Sequence, residues 1–196
     1  MYDACMDAVS GQTIKLLQNS DKNMDAIVCP ANTTLTIDLN GYEYDGNEWS
    51  GHFTAAIELN NAGANLTVKN GTLASWHYEA IAVLAEDCKV TLENVAMISN
   101  KSSSWDTGKY GIATNGSASG SQDSSAGLQL TLKNCTLTTN NSSAIAIYFP
   151  VRDSANQKAK LEIINTQITG FHTGVQVISG ACEISGETTK IETTGT

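Results

Sequence analysis

Apolar residues recur at alternate positions in short runs along most of the chain, and the runs repeat. "LTVKNGTLASW" from Leu66 has near-copies in "VTLENVAMIS" from Val90 and "LTLKNCTLTT" from Leu130, and a looser copy in "LEIINTQITG" from Leu161. A period of two puts every second side chain on one face, so each run predicts a short, half-buried strand. Upstream of each copy lies a run of the form A-I-x-apolar: "AIEL" at Ala56, "AIAV" at Ala80, "GIAT" at Gly111, "AIAI" at Ala144 and "GVQV" at Gly174. Ile57 to Ile81 is a step of 24 residues, and the steps to Ile112, Ile145 and Val175 are 31, 33 and 30. The unit is therefore about two dozen residues, with the excess in polar loops that a repeat tolerates.

Each unit predicts three strands separated by turns, as in Ile81/Val83, Val90/Leu92 and Val95/Met97. A strand this short cannot bury its inner face alone. Stacking homologous strands about 4.8 Å apart gives every strand a partner on both sides and leaves open edges only at the ends. Asn70, Asn94, Asn134 and Asn165 recur just before the third strand. Asparagine tolerates left-handed backbone and its amide can bond the same amide one unit away, so a ladder of asparagines is expected at that corner.

The A-I-x-apolar strand, the three-strand unit and the asparagine corner resemble the right-handed parallel β-helix of the pectate-lyase-like class. The resemblance covers nearly the whole chain and implies an all-β solenoid of about six coils, one domain over 1–196. "AIVC" from Ala26 and "LTIDLNGYEY" from Leu35 read as earlier coils, the latter with Gly41 in the ladder position and Asn40 one place early. "YDACMDAVSGQTIKLL" predicts an amphipathic helix with Ala4, Cys5, Ala8 and Val9 on one side, stopped at Ser10-Gly11 and followed by a strand. Residues 1–11 would then cap the coils of 12–194. At the far end, after Cys182, Ile184 and Ile191, no cap is legible, and a longer parent chain is expected.

Composition narrows the partners. The net charge is -9 and Arg152 is the sole arginine, which argues against nucleic acid or anionic membrane as partner. No apolar run reaches the roughly 20 residues of a membrane-spanning helix, so no membrane insertion is expected. Cys5, Cys29, Cys88, Cys135 and Cys182 are scattered without metal-ligand spacing and read as buried free thiols, so neither metal nor cofactor is predicted. Asn134 begins a glycosylation sequon inside the predicted packed corner, which points to a bacterial source that ignores sequons.

Candidate chemistry gathers in the loops from each third strand to the next first strand. They hold Trp49, His52 and Phe53; Trp76, His77, Tyr78 and Glu79; Trp105, Asp106 and Tyr110; and Phe171 and His172, so that every Trp and His lies in this one loop class. Equivalent loops of a solenoid line one edge. Flat aromatic faces there stack on sugar rings while Asp45, Glu48, Glu79 and Asp106 accept hydrogen bonds from hydroxyls. The leading expectation is a non-catalytic, adhesin-like binding module of an exported surface protein, at the cell surface or outside the cell, taking a glycan or a host or neighbour protein. A polysaccharide-active enzyme, lyase or hydrolase, is the alternative, and a structural stalk whose aromatics merely pack the loops is the third. Against catalysis, the Asn-Thr-Asp, Asp-Asp, Gly-His-Gly and Arg-Ile-Lys elements of β-helix hydrolases are missing. Arg152 lies on a different corner from the carboxylates, and the outward first-strand positions read Glu58, Ala82, Ala113, Ala146 and Gln176. A His-carboxylate site from His52, His77 and Glu79 is the one catalytic grouping left open.

Overall fold

The computed structural model describes residues 1–20, 25–46, 55–76, 79–101, 109–114 and 124–195. One helical turn, α1 (Tyr2–Met6), precedes strand β1 (Thr13–Lys15). Then follow β2 (Thr34–Asp38), β3 (Glu43–Gly46), β4 (Ile57–Leu59), β5 (Asn65–Ser75), β6 (Ile81–Val83), β7 (Lys89–Ser99) and β8 (Tyr110–Ala113). The second half holds β9 (Gln129–Lys133), β10 (Thr136–Thr139), β11 (Ile145–Pro150), β12 (Lys160–Ile164), β13 (Gln167–Phe171), β14 (Thr173–Ser179), β15 (Ala181–Ser185) and β16 (Lys190–Thr193). The fold is all-β, and every strand pairing among the described residues is parallel.

The strands form three ladders of homologous partners. First strands make one sheet, β4-β6-β8-β11-β14, entered through a bridge from Ile27 to Ile57. Second strands run β1, β2, β5, β7, β9, β12, β15, and third strands run β3, β5, β7, β10, β13, β16. In the second ladder Leu35, Leu66, Val90, Leu130 and Leu161 fall in register, as do Ile37, Val68, Leu92, Leu132 and Ile163. The third stacks Tyr44, Leu73, Met97, Leu137 and Ile168. All of these are buried in one continuous apolar core. Alternation turns the intervening Thr, Lys and Glu residues outward, which is why each repeat keeps a polar exterior.

The corner between second and third strands is tighter than two separate strands and a turn. In β5 and β7 both runs belong to one 11-residue strand, bent at Asn70 and Asn94 with φ of 59° and 55°. Asn134 and Asn165 repeat this left-handed geometry at 54° and 49°. Asn134 Nδ2 donates to Asn94 Oδ1 at 3.2 Å, Asn94 Nδ2 to Asn70 Oδ1 at 3.3 Å, and Asn70 Nδ2 to Asp38 Oδ1 at 3.2 Å. The ladder in the early repeat thus ends on Asp38 and not on Gly41, because four residues, 39–42, stand between β2 and β3 where β5 has only Asn70 and Gly71; Leu39 turns into the core and Tyr42 out of it. Gly71 is the consequence: a Cβ there would lie 2.5 Å from both Leu39 Cβ and the Tyr42 carbonyl. An ionised carboxylate only accepts, so Asp38 makes every amide donate toward it and sets the polarity of the whole chain of bonds. Burial works against the charged form of Asp38, but the Asn40 N–H, the Asn70 amide, Lys69 and Lys15 outweigh it and hold the carboxyl below its usual range.

Two further expectations change. The amphipathic helix of 1–11 shrinks to α1, in which Cys5 alone is buried while Val9 is 67% exposed. A helix of five residues has no stability of its own, and the end of the expected helix is held elsewhere, the Gly11 N–H donating to the Thr34 carbonyl and the Thr34 N–H to Ser10 Oγ. In β11 the register moves by two residues, so Ile147, not Ile145, sits on Ile112, and Tyr148, not Ala146, faces outward beside Ala113. At the other corner the segment after Arg152 packs on its neighbours: Asn156 Nδ2 donates to Asp87 Oδ2 at 2.8 Å, and the Gly127 N–H donates to the Arg152 carbonyl at 2.7 Å.

The ladder generates two predictions. Asn94→Ala forces a side chain into left-handed backbone, costing about 1–2 kcal/mol, and removes two hydrogen bonds of about 1 kcal/mol each. Asn94→Gly loses only the bonds, so urea unfolding should rank wild type above Gly above Ala, and equal losses for the two variants would show that the geometry carries no strain. Asp38 titrates lower in the folded chain than unfolded, so its contribution is complete above its ordinary value of 3.8 and fades as pH falls below it. Asp38→Asn should therefore flatten the acid-unfolding curve below that pH in circular dichroism, while keeping the bond from Asn70.

Candidate functional site

The corner from third strands to first strands carries the residues with the most chemistry. Asp45 lies outward on β3, since its neighbour Tyr44 points into the core, yet only 4% of Asp45 is exposed. Lys101 makes that possible. Its ammonium contacts Glu43 Oε1 and lies 2.8 Å from Asp45 Oδ2, reaching from the level of β7 across β5 to β3. The lysine backbone is pinned on both sides: its N–H donates to the Ser75 carbonyl at 2.9 Å, and its carbonyl accepts from Asn140 Nδ2 at 2.8 Å. Trp76, half-buried at the end of β5, belongs to the level Lys101 spans. The ammonium stands 5.9 Å from the centre of its ring, within cation–π range. Desolvation opposes the charge on Lys101, but hydrogen bonds and attraction from Asp45 and Glu43 prevail and raise its pKa.

One level on, Glu79 is 1% exposed where the chain turns into β6. Tyr110 opens β8 and stacks on Tyr148 with ring centres 5.0 Å apart and planes 21° from parallel. Burial, then Tyr148, then the negative charge of Glu79 raise the Tyr110 hydroxyl above its usual range, which keeps it a neutral donor. Glu58 lies on the outer face of the first-strand sheet, between inward Ile57 and Leu59, and is also buried. Three carboxylates (Glu43, Asp45 and Glu79), the Tyr110–Tyr148 pair and Trp76 with Lys101 beside it thus lie along the passage from third to first strands, with Glu58 on the adjoining face of the first-strand sheet. The set offers flat rings for stacking, acceptors for hydroxyl groups and a cation fixed in place.

Of the sequence-predicted site residues, the structure brings Trp76, Glu79 and Tyr110 to this corner. Trp49, His52, Phe53, His77, Tyr78, Trp105 and Asp106 lie outside the described residues, as does Glu48. His172 is exposed, with Nδ1 3.2 Å from Thr173 Oγ1. Phe171 is not a loop residue. The register skips between Thr169 and Phe171, with Gly170 at φ 84°, and this bulge turns the ring into the core, where it is fully buried. Its expected place on an outer stripe is therefore corrected.

Sequence inspection missed Tyr148, Lys101 and Glu43. The apolar run "AIAIYFPV" admits two registers, and only pairing with β8 selects the one that exposes Tyr148. Lys101 had a weak signal as one of few cations beside a tryptophan-bearing loop. Four thiols are buried as expected, which pushes Cys29 and Cys88 up to about 11 and raises Cys5 and Cys135 for the same reason, whereas Cys182 is exposed on β15, against the expectation of a buried thiol. Among the described residues, no three His, Cys, Asp or Glu side chains gather as a metal site.

Removing Lys101 strands the Asp45 charge in a buried place. Lys101→Met should destabilise by about 2 kcal/mol, the cost of leaving a buried acceptor unpaired, and Asp45→Asn added to it should restore most of the loss. Urea unfolding of the single and double variants checks this, and additive losses would mean that the pair is not coupled.

No family model matches this chain, and no curated protein or solved structure matches it either.

Proposed function

We propose that the three parallel ladders close into one right-handed β-helix of the pectate-lyase-like kind, and that this β-helix is a non-catalytic glycan-binding module of an exported bacterial surface protein. One observation carries the proposal: Trp76 is held at the loop corner by Lys101, a residue of the next repeat that is itself anchored to Glu43 and Asp45 two levels away. A ring fixed in this way loses little freedom when a sugar stacks on it, and preorganisation of that sort is what turns contact into affinity. Tyr110, partly exposed and stacked on Tyr148, stands one level along and supports the reading as a second flat ring. The low count of basic residues fits a neutral or cationic glycan better than a polyuronate.

A second reading rests on Glu58 and Glu79, two buried carboxylates on the outer side of the first-strand sheet, where an acid and a base of a polysaccharide-active enzyme would stand. The two readings separate by turnover. Glycan-array hits incubated with the protein should be retained without new reducing ends or unsaturated products; release of either, abolished by Glu79→Gln, would establish the enzyme instead.

For the binding module, Trp76→Ala should weaken retention of the array hit by about 1–3 kcal/mol, the usual cost of losing an interface aromatic. Trp76→Phe should recover part of it, and the melting temperature should move by only a few degrees. A sharp fall in melting temperature with undiminished binding per folded molecule would reassign Trp76 to loop packing.

A further inference from the structure

Lys101 is a primary amine set between two carboxyl groups, and its surroundings differ from those of the other ion pairs. In Lys133–Glu93, Lys158–Asp153, Lys160–Glu162 and Lys190–Glu192 both side chains keep about a third or more of their surface in water. The Asp45 side chain keeps 6%. Asp45 Oδ2 lies 2.8 Å from Lys101 Nζ, while Asp45 Oδ1 is buried and receives no hydrogen bond. An ion pair closed off from water with one acceptor unfilled is a costly arrangement, and neutral groups in its place are often the more stable choice.

The groups are also held in place. Glu43 stands two residues before Asp45 on β3, so both carboxyls project from the same side and meet the same ammonium. The Glu43 N–H donates to Asn19 Oδ1 at 3.0 Å and the Asp45 N–H to Ser20 Oγ at 2.7 Å. On the other side the Lys101 backbone is tied to Ser75 and Asn140. An amine and a carboxyl fixed at contact distance behave as if present at an effective concentration on the order of 10⁵ M or more. Amide formation, uphill between free partners in water, then becomes accessible.

We propose that Lys101 and Asp45 condense into an intramolecular amide, Nζ to Cγ, with Glu43 carrying the protons. The ion pair described above is the reactant, and the freshly folded chain carries it. At rest desolvation is outweighed by the bonds to Asp45 and Glu43, so Lys101 is an ammonium. Glu43 takes one proton from it, which frees the nitrogen lone pair to attack Asp45 Cγ. A second proton leaves the nitrogen as the C–N bond forms. Both protons pass to one carboxyl oxygen of Asp45, the C–O bond breaks and water departs. Glu43 ends as the carboxylate it was. An ammonium and a carboxylate have become an amide and one water, with nothing oxidised or reduced. Asp45 is the acyl partner because its seclusion also keeps water from hydrolysing the product, whereas Glu43, 32% exposed, is open enough to exchange protons. The amide joins positions 56 residues apart and fastens β3 to the end of β7 across β5, with the lysine stem still beside Trp76.

Intact mass spectrometry of the whole folded chain, incubated at neutral pH, should find it lighter than its sequence by one water. Trypsin cannot cut after an acylated lysine, so digestion should yield a branched product joining residues 23–69 to 90–109, and fragmentation should place the branch between Asp45 and Lys101. Lys101→Arg keeps the charge without the amine, and Glu43→Gln keeps both reacting groups without the proton carrier. Each should stay at its own sequence mass with an unchanged circular dichroism spectrum. Asp45 precedes Gly46, so a ring closed on the Gly46 nitrogen would release water too, but it forms no branch and persists in Lys101→Arg. Full sequence mass after prolonged incubation, a water loss that persists in Lys101→Arg, a branch at Glu43, or undiminished reaction in Glu43→Gln would each overturn the proposal.

Discussion

Parallel pairing in register is the interaction on which everything else in this protein rests. No repeat owns a core: Leu66 and Val68 are buried because Leu35 and Ile37 lie on one side and Val90 and Leu92 on the other. Identical positions stack on identical positions, so a side chain that can bond to its own kind becomes a column. The asparagine corner is the polar form of that rule and the Leu/Ile/Val columns are the apolar form. The same rule explains why Asp38 can end the asparagine column, since a carboxylate accepts what an amide donates.

Backbone pairing ties each level only to its neighbours, whereas Lys101 ties three levels together. An acidic chain has few cations to spend, and this one neutralises a carboxylate that the fold has almost closed off from water. The bridge passes beside Trp76, so the arrangement that resolves a buried charge also fixes the orientation of the ring. The buried charge and the aromatic ring are coupled at that corner through one side chain. Tyr110 and Tyr148 show the looser version, in which rings from adjacent first strands stack although their backbones stand three positions apart in register.

Much of this was written in the sequence. Period-two alternation, the repeat of about two dozen residues and the recurrent asparagine follow from local rules that any stacked strand must satisfy, so the all-β class, the parallel partners and the left-handed corner were legible. Inward positions such as Leu73, Met97 and Leu137 could be named one by one, because burial in a ladder depends on parity along a single strand. What local parity cannot settle is where one run is placed on the next. "AIAIYFPV" satisfies the pattern in two registers, and "GFHT" reads as a loop until Gly170 opens a bulge that swings Phe171 inward. The helix at the start was overread for the same reason: apolar spacing in 1–11 is compatible with a helix, but Ser10 and Gly11 bond to Thr34 at the start of β2, a contact that no local spacing reveals. The acid-lysine bridge was hidden because Lys101 lies more than fifty residues along the chain from Glu43 and Asp45 and meets them only when three levels are stacked. Sequence alone determined the repeat, its strands and its corner, which are properties of short stretches. Tertiary structure decided register, the burial of Asp45 and the company kept by Trp76, because those depend on which residue of one level lands above which residue of another.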